Sequence, residues 1–248
     1  MKYLGIIPAR YASTRFPGKP LADLMGKPMI QWVFEHVTDI LDRVVVATDD
    51  ERIHKAVQER GGEALMTSPD HRSGTDRCLE AYLKLKEDYD VIINIQGDEP
   101  FIHPSQIELL KAAFQNPATQ IATLVKPFSP DDDFENLFNP NTPKVVLNSK
   151  GQAIYFSRSI IPYIRGKHHS EWLKSHVFYK HIGIYAYKPD VLKEITSLPQ
   201  SISEKAESLE QLRWIENGYI IQTMITHEET VGIDTPDDLE RAKKMLFF

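Results

Sequence analysis

Short apolar runs alternate with segments of helical periodicity over the first half of the chain. The runs have the length and composition of buried strands, and they lie at residues 3–7, 43–47, 91–95 and 121–125. Such alternation predicts an α/β fold with a mostly parallel sheet and helices on both faces.

Helices are predicted where apolar residues recur at spacings of three and four, because that spacing places them on one buried face. The first such stripe consists of Ile30, Val33, Phe34, Val37, Ile40 and Leu41. Further helices are predicted over residues 50–60, 73–85 and 104–114.

The pattern changes after about residue 127, where prolines interrupt the chain. The stretch KVVLNSKGQAIYFS predicts two strands around a turn near residues 149–151. Residues 181–187 predict another strand and residues 204–216 one continuous helix. The tail returns to the earlier pattern, with the strand YIIQTMI and a helix capped by Thr235 and Asp238. We expect a single domain spanning residues 1–248, with residues 127–190 as an insertion.

Composition and charge narrow the function classes. The chain has 248 residues, 42% of them hydrophobic, and 29 basic against 35 acidic residues give a net charge of −6. This balance argues against a broad nucleic-acid-binding face. Because no apolar run approaches the roughly 18 residues of a membrane span, we expect no membrane partner. The single cysteine, Cys78, excludes an internal disulfide, so we predict a cytoplasmic protein.

The loop PARYASTRFPGK, at residues 8–19, concentrates positive charge directly after the first apolar run. Ligands of open parallel sheets bind beyond the carboxyl ends of the strands, where this loop begins. Arg10, Arg15 and Lys19, with backbone N–H groups near Ser13 and Thr14, are suited to a triphosphate. The loop lacks the glycine pattern of a dinucleotide or phosphate-binding loop. The alternative is a solvated loop that is basic by chance.

Two aspartates follow predicted strands. Asp98 comes after VIINIQ, and Asp234 lies in GIDTP before the last helix. Carboxylates that converge from separate strand ends form a reasonable Mg²⁺ site together with phosphate and water. The alternatives are a turn residue before Pro100 for Asp98 and a helix N-cap for Asp234.

The segment IPARYASTRFPGKPL resembles the N-terminal signature of the sugar nucleotidyltransferases, and most closely that of the 3-deoxy-manno-octulosonate (Kdo) cytidylyltransferases, or CMP-Kdo synthetases. CMP-sialic acid synthetases carry a related loop but typically lack YASTR. The resemblance continues in order through HRSGTDR, INIQGDEP, YFSRSIIP, KHIGIYAY, SLEQLRW and VGIDTPDDL, and so covers nearly the whole chain.

The resemblance implies a Rossmann-like nucleotidyltransferase sheet whose insertion binds the sugar and mediates dimerisation. It implies that CTP and Kdo react to give CMP-Kdo and pyrophosphate, with Mg²⁺ as cofactor, to supply lipopolysaccharide biosynthesis. It also implies a homodimer, for which Trp172 and Phe178, read as exposed, are candidate interface residues.

The resemblance also assigns roles to individual residues. The implied catalytic residues are Arg10, Arg15, Lys19 and Asp98, and the implied metal ligands are Asp98 and Asp234. The implied nucleotide-binding residues are Arg10, Ser13, Lys19, Arg72, Ser73, Gly74 and Gln96. The implied sugar-binding residues are Arg15, Arg158, His181, Tyr185, Glu210 and Gln211.

Simpler structural roles remain open for several of these residues. Ser73 can cap a helix, and the polar face formed by Glu207, Glu210 and Gln211 can simply be solvated. By contrast, Arg158 suits a carboxylate because guanidinium groups bind it bidentately, and His181 and Tyr185 share one face of a strand.

Three other functions compete with Kdo activation. One is a cytidylyltransferase for another 2-keto sugar acid, such as a sialic acid. Another is a nucleotide-binding regulatory protein without catalysis, which would not require both Asp98 and Asp234. A dehydrogenase is disfavoured because the glycine fingerprint is missing.

Overall fold

The computed structural model describes residues 1–12, 15–229 and 232–245. The strands are β1 (Tyr3–Ala9), β2 (Asp23–Leu24), β3 (Lys27–Pro28), β4 (Arg43–Thr48), β5 (Ala64–Met66), β6 (Val91–Asn94), β7 (Ile121–Pro127), β8 (Lys144–Leu147), β9 (Ala153–Ser157), β10 (Tyr179–Tyr187) and β11 (Ile221–Ile225). The helices are α1 (Met29–Thr38), α2 (Glu51–Gln58), α3 (Gly74–Leu85), α4 (Pro104–Ala113), α5 (Phe134–Phe138), α6 (Trp172–Ser175), α7 (Pro189–Ser197), α8 (Ile202–Glu207), α9 (Gln211–Glu216) and α10 (Pro236–Met245). Within these ranges, no helix has the length and apolar character needed to cross a membrane.

The chain divides into two compact units. The first comprises Met1–Glu108, Ala186–Thr196 and Glu229–Phe248, and the second comprises Leu109–Tyr185 and Ser197–Glu228. The second unit includes residues 127–185 of the predicted insertion.

A parallel sheet in the order β6-β1-β4-β5 forms the centre of the first unit. The pairing aligns Tyr3 with Val91 and Ala9 with Thr48, so these strands end at the same edge. β4 and β6 are almost entirely buried, as continuous apolar runs require in a sheet covered on both faces. The prediction of a mostly parallel α/β sheet is confirmed.

Two helices cover opposite faces of β1. A Cβ placed on Gly97 would lie 3.3 Å from Ile30 of α1 and 3.5 Å from Ile7, so α1 lies on the face of Ile7. A Cβ placed on Gly74, the first residue of α3, would lie 3.3 Å from the ring of Pro8. Because successive side chains of a strand alternate, Pro8 belongs to the other face.

The second unit combines parallel and antiparallel pairs. β11 runs parallel to β7, while β8 pairs antiparallel with both β9 and β10. A separate apolar cluster of this unit contains Trp172 and Phe178, which are only 3% and 1% exposed. The reading of these two residues as an exposed interface is therefore wrong. They pack against Phe128 and Leu137, partners that are distant in sequence.

The single helix predicted over residues 204–216 is also wrong. Ser208 adopts a left-handed conformation with φ 51°, which ends α8 before α9 begins. Leu209 and Leu212 point inward as expected, but Gln211 is only 4% exposed. The alternative that Glu207, Glu210 and Gln211 form a simply solvated face therefore does not hold for Gln211.

The predicted helix starts are confirmed where a side chain caps the first turn. Asp50 accepts from Arg52 N at the start of α2, and Ser73 accepts from Asp76 N at the start of α3. Asp238 Oδ2 accepts from Thr235 N, and Thr235 Oγ1 accepts from Asp238 N. These bonds satisfy N–H groups that a helix leaves unpaired.

The side chain of Glu80 in α3 contacts the segment that precedes this helix and holds it in place. Its carboxylate accepts from Ser68 N at 2.8 Å and contacts the His71 ring, while Lys84 Nζ lies 2.7 Å away. Burial alone would raise the pKa of Glu80, but the bonds from Lys84, Ser68 and His71 outweigh it and lower the pKa to about 2.

We predict that Glu80→Gln destabilises the protein at pH 7 by on the order of 2 kcal/mol. Because the folded-state pKa is depressed, the stabilisation is fully present above the ordinary value of 4.5 and is lost as the pH falls through about 2. Urea unfolding of both proteins at several pH values should show that the difference in their free energies of unfolding becomes smaller below pH 4.5. Glu216→Gln, at an exposed position, is the control. A difference in the free energy of unfolding that stays constant with pH would contradict the stabilising role of ionised Glu80.

Candidate active site

A cleft of about 270 Å³ opens in the first unit at the carboxyl ends of β1 and β6. Its lining includes Arg10 after β1, Gln96 and Asp98 after β6, and Arg72 before α3. Cationic side chains and a carboxylate thus meet at the sheet edge where open α/β folds bind ligands. Most of the predicted nucleotide-binding residues are brought together here.

The opening loop folds back on itself through a glycine turn. Gly18 has φ 72°, which favours glycine, and its N–H donates to Tyr11 O at 2.9 Å. The Arg52 guanidinium lies 3.3 Å from the centre of the Tyr11 ring. This turn leads into Lys19 and directs it to the cleft. Ser13 and Thr14 lie outside the described residues, so the prediction for Ser13 stays a prediction.

Lys19 joins the two predicted metal ligands. Its Nζ lies 2.6 Å from Asp98 Oδ2 and 3.1 Å from Asp234 Oδ1. Arg15 reaches the other oxygen of Asp234 at 3.1 Å. The main chain holds the aspartates in place, because Ile233 N donates to Asp98 O at 2.9 Å. Two carboxylates from segments 136 residues apart therefore converge on a single cation.

This donor set fits a divalent cation. Mg²⁺ commonly binds one or two protein carboxylates and takes its other ligands from phosphate and water. In the part of the chain that the structure describes, no group of three or more His, Cys, Asp or Glu residues could form an all-protein metal cage. Asp98 and Asp234 offer what an ion shared with a substrate phosphate requires.

Glu99 differs from its neighbour in charge. Burial, reinforced by the negative charge of Asp98, raises the pKa of Glu99 to about 8. The Glu99 carboxyl is therefore mostly protonated near neutral pH and can donate a hydrogen bond.

The segment HRSGTDR serves both structure and site. Ser73 caps α3, as the simpler reading required, while the exposed Arg72 and Gly74 line the cleft. Arg77, which sequence reasoning missed as a site residue, is buried and also lines the cleft. It donates to Asp49 at 2.9 Å and to Thr67 Oγ1 at 2.5 Å. Its position within the HRSGTDR motif, four residues after the helix cap Ser73, could have identified Arg77 as a site residue.

The predicted sugar-binding residues other than Arg15 lie in the second unit. Arg158 follows β9, and three backbone carbonyls hold its guanidinium: Nε donates to Glu207 O at 2.6 Å, one Nη to Pro140 O at 3.0 Å and the other to Ser208 O at 3.3 Å. Five N–H groups are available on a guanidinium, so one on each Nη remains for a ligand.

Two charged residues that the sequence analysis did not assign support Arg158. The Glu207 carboxylate accepts from Arg158 N at 2.8 Å and from Ser157 Oγ at 2.6 Å. Lys144 is fully buried and donates to Arg158 O at 2.7 Å. Burial lowers the pKa of Lys144 to about 8. The main chain at Arg158 is thus fixed from two sides.

His181 and Tyr185 share a face of β10, as their even spacing predicts, with ring centres 5.2 Å apart. Burial lowers the pKa of His181 to about 3, so the imidazole is neutral. Burial raises the pKa of Tyr185, with the charge of Glu210 adding to the effect. These groups present uncharged donors and acceptors.

Glu210 is the N-cap of α9 and Gln211 is its first residue. Arg213 Nη2 lies 2.7 Å from Glu210 Oε1, so this carboxylate is charge-balanced. The Nε2 atom of Gln211 is buried, and no hydrogen-bond partner for it is found among the described residues. An unpaired buried amide is costly unless a ligand accepts its hydrogen bond.

The chain matches the model of the cytidylyltransferase family over residues 4–241. It is 70% identical to the 3-deoxy-manno-octulosonate cytidylyltransferase of Parabacteroides distasonis, over 99% of this chain and 98% of that protein. It is 63% identical to the protein of the same name from Bacteroides thetaiotaomicron, again over 99% and 98%.

Solved structures agree with these relatives. A CMP:2-keto-3-deoxy-manno-octonic acid synthetase complexed with CTP superposes with a TM-score of 0.91 at 45% identity, over 100% of this chain and 99% of that one. A cytidylyltransferase from Leptospira borgpetersenii, with a TM-score of 0.64 at 17% identity, covers 100% and 88% and shares the fold. With the family model matched over nearly its whole length and relatives this similar, the chain belongs to the 3-deoxy-manno-octulosonate cytidylyltransferase family.

Proposed function

We infer that this chain joins CTP and Kdo to give CMP-Kdo and pyrophosphate, and so activates this sugar acid for lipopolysaccharide biosynthesis. The observation that carries the inference is the convergence of Asp98 and Asp234 on Lys19, in a cleft that Arg10 and Arg72 also line. The CTP-bound relative with 45% identity supports the nucleotide. A sugar hydroxyl attacks the α-phosphorus and pyrophosphate leaves, a reaction that needs positioning and charge neutralisation.

A divalent cation is part of the proposal, and Mg²⁺ suits the ligands. Asp98 and Asp234 would hold it, and when bound it would neutralise charge on the phosphates. Lys19 contacts both carboxylates. We propose that its ammonium shifts to the triphosphate in the substrate complex, where the negative charge is greater.

The remaining cleft residues bind CTP in this proposal. Arg10 and Lys19 bind phosphate oxygens, and Arg15, which reaches Asp234, acts on the anionic ends of the substrates. The exposed backbone at Gly74 allows close approach of a flat base, with Ser73, Arg72 and Gln96 around it.

Kdo carries one carboxylate and several hydroxyls, and the second unit offers matching groups. The two spare N–H groups of Arg158 suit the carboxylate, because an Arg–carboxylate pair is commonly bidentate. The neutral His181 and Tyr185 and the unpaired amide of Gln211 suit hydroxyls. Glu210 can accept from a further hydroxyl.

We also propose a cytoplasmic homodimer. Trp172 and Phe178 cannot form its interface because they are buried, but Ile154 and Tyr155 of β9 are exposed, as is Tyr163. These apolar side chains all lie in the 127–190 segment. Cys78 is buried and forms no disulfide, which is compatible with a reducing compartment.

Asp98→Asn tests the metal assignment most directly. The change keeps the shape and removes one charge, so CMP-Kdo formation should fall by roughly 100-fold or more, and excess Mg²⁺ should restore it poorly. The melting temperature without ligands should change little. Single-turnover product formation and thermal melts are the measurements, with the exposed Asp237→Asn as control. Wild-type activity in Asp98→Asn would eliminate Asp98 as a ligand.

Lys19→Met tests the role of the bridging ammonium. Its loss should raise the KM for CTP, since a phosphate partner is removed. In Lys19→Met no ammonium lies between Asp98 and Asp234 to compete with Mg²⁺ for the two carboxylates. Mg²⁺ alone should therefore raise the melting temperature of this variant more than that of the wild type. Lys55→Met, on the exposed side of α2, is the control. An unchanged KM for CTP would remove Lys19 from the phosphate site.

Arg158→Ala tests recognition of the sugar carboxylate. It should weaken Kdo binding by about 2–5 kcal/mol and leave CTP binding nearly intact. It should also lower the melting temperature, because three backbone carbonyls lose their donor. The KM values for both substrates are measured, with Arg165→Ala, exposed in the same segment, as control. Equal loss of both affinities would reject the assignment.

A further inference from the structure

Thr123 of β7 makes side-chain contacts with β10 that the proposed reaction does not require. Its side chain is fully buried, and its hydroxyl oxygen lies 3.0 Å from His181 Nε2, 3.2 Å from Ile182 O and 2.7 Å from Ile184 O. These contacts come from β10, which carries the predicted sugar-binding residues His181 and Tyr185. The Tyr185 side chain also interacts with the Thr123 hydroxyl, whose two lone pairs can accept from both residues.

Counting hydrogens determines the direction of the bond to His181. A threonine hydroxyl has a single hydrogen and two lone pairs. Two oxygens 2.7 Å apart repel unless a hydrogen lies between them, so the hydroxyl donates to Ile184 O. Thr123 Oγ1 must then accept from His181, which places a hydrogen on Nε2.

The other ring nitrogen follows from this assignment. Burial keeps the imidazole neutral, and in a neutral imidazole only one nitrogen carries hydrogen. Nδ1 is therefore a bare acceptor. Within the described ranges, His181 has no Asp or Glu partner and its Nδ1 has no hydrogen-bond donor. Its other neighbours are the rings of Phe156 and Tyr185, at 5.0 and 5.2 Å.

We propose that Thr123 is a positioning residue for sugar recognition, which holds His181 as the Nε2–H tautomer so that Nδ1 accepts a hydrogen bond from a Kdo hydroxyl. This inference rests on the proposed function for its ligand, but the tautomer is a property of the ligand-free protein. His181 acts here as a fixed acceptor, and it neither takes nor gives a proton during the reaction.

The tautomer is tested first, without substrate. In ¹⁵N-histidine-labelled protein, long-range ¹H–¹⁵N spectra distinguish a protonated ring nitrogen from a bare one, and a His181→Asn sample assigns the signals. We expect Nε2 protonated and Nδ1 bare in the wild type and in Thr123→Ser, and a mixture of tautomers in Thr123→Val. A wild-type spectrum with hydrogen on Nδ1, or one with mixed tautomers, would overturn the proposal even if every variant failed to fold.

Kinetics test the effect on the sugar. Thr123→Val should raise the KM for Kdo roughly three- to tenfold, the value of one hydrogen bond, while the KM for CTP and kcat stay near wild type. Thr123→Ser, which keeps the hydroxyl, should restore the KM for Kdo. An unchanged KM for Kdo in Thr123→Val, or equal rises for both substrates, would overturn the role in sugar recognition. If the wild type forms no CMP-Kdo from CTP and Kdo, the proposed function fails, and the spectra still decide the role of Thr123 in fixing the tautomer.

Discussion

The ion pairs of Lys19 with Asp98 and Asp234 are the interaction on which the first unit's cleft depends. They join the opening loop, the end of β6 and the segment before α10. Two carboxylates this close would repel each other without a cation between them. The segment before α10 is also anchored by packing, since Ile233 and Leu239 share an apolar cluster with Met29. Packing brings the carboxylates together, and the ammonium offsets the resulting repulsion.

The same constraint accounts for the distribution of charge. The protein is acidic overall, with a net charge of −6, yet Arg10, Arg15, Lys19 and Arg72 line its cleft. A local excess of cations attracts anionic substrates, whereas the acidic remainder disfavours extended polyanions. In the second unit, the predicted ligand residues that the structure describes are not part of such a cluster of cations. Arg158 is fixed by backbone carbonyls, and His181 is kept neutral by burial.

Much of this arrangement could be predicted from the sequence, because it depends on local patterns. Strand periodicity placed Asp98 after the end of β6, and the caps at Ser73 and Thr235 follow from residue type. Asp234 was expected at a strand end as well, but β11 ends at Ile225 and Asp234 lies directly before α10. The break at Ser208 could not be predicted, since serine rarely adopts a left-handed conformation and both flanking segments favour helix. The burial of Trp172 depends on Phe128 and Leu137, which adjacent residues do not reveal.

The features that escaped prediction are those that make specific binding possible. Lys144 and Thr123 are buried polar residues and Glu207 is partly buried, and composition alone gives no reason to expect them there. Each satisfies backbone or side-chain groups around a predicted ligand residue: Lys144 and Glu207 around Arg158, and Thr123 around His181. A buried polar group without its partners would cost more than it contributes, so such groups fix a geometry rather than add stability. Phosphoryl transfer depends mainly on positioning, and for that reason these supporting residues bear on function as directly as the groups that touch substrate.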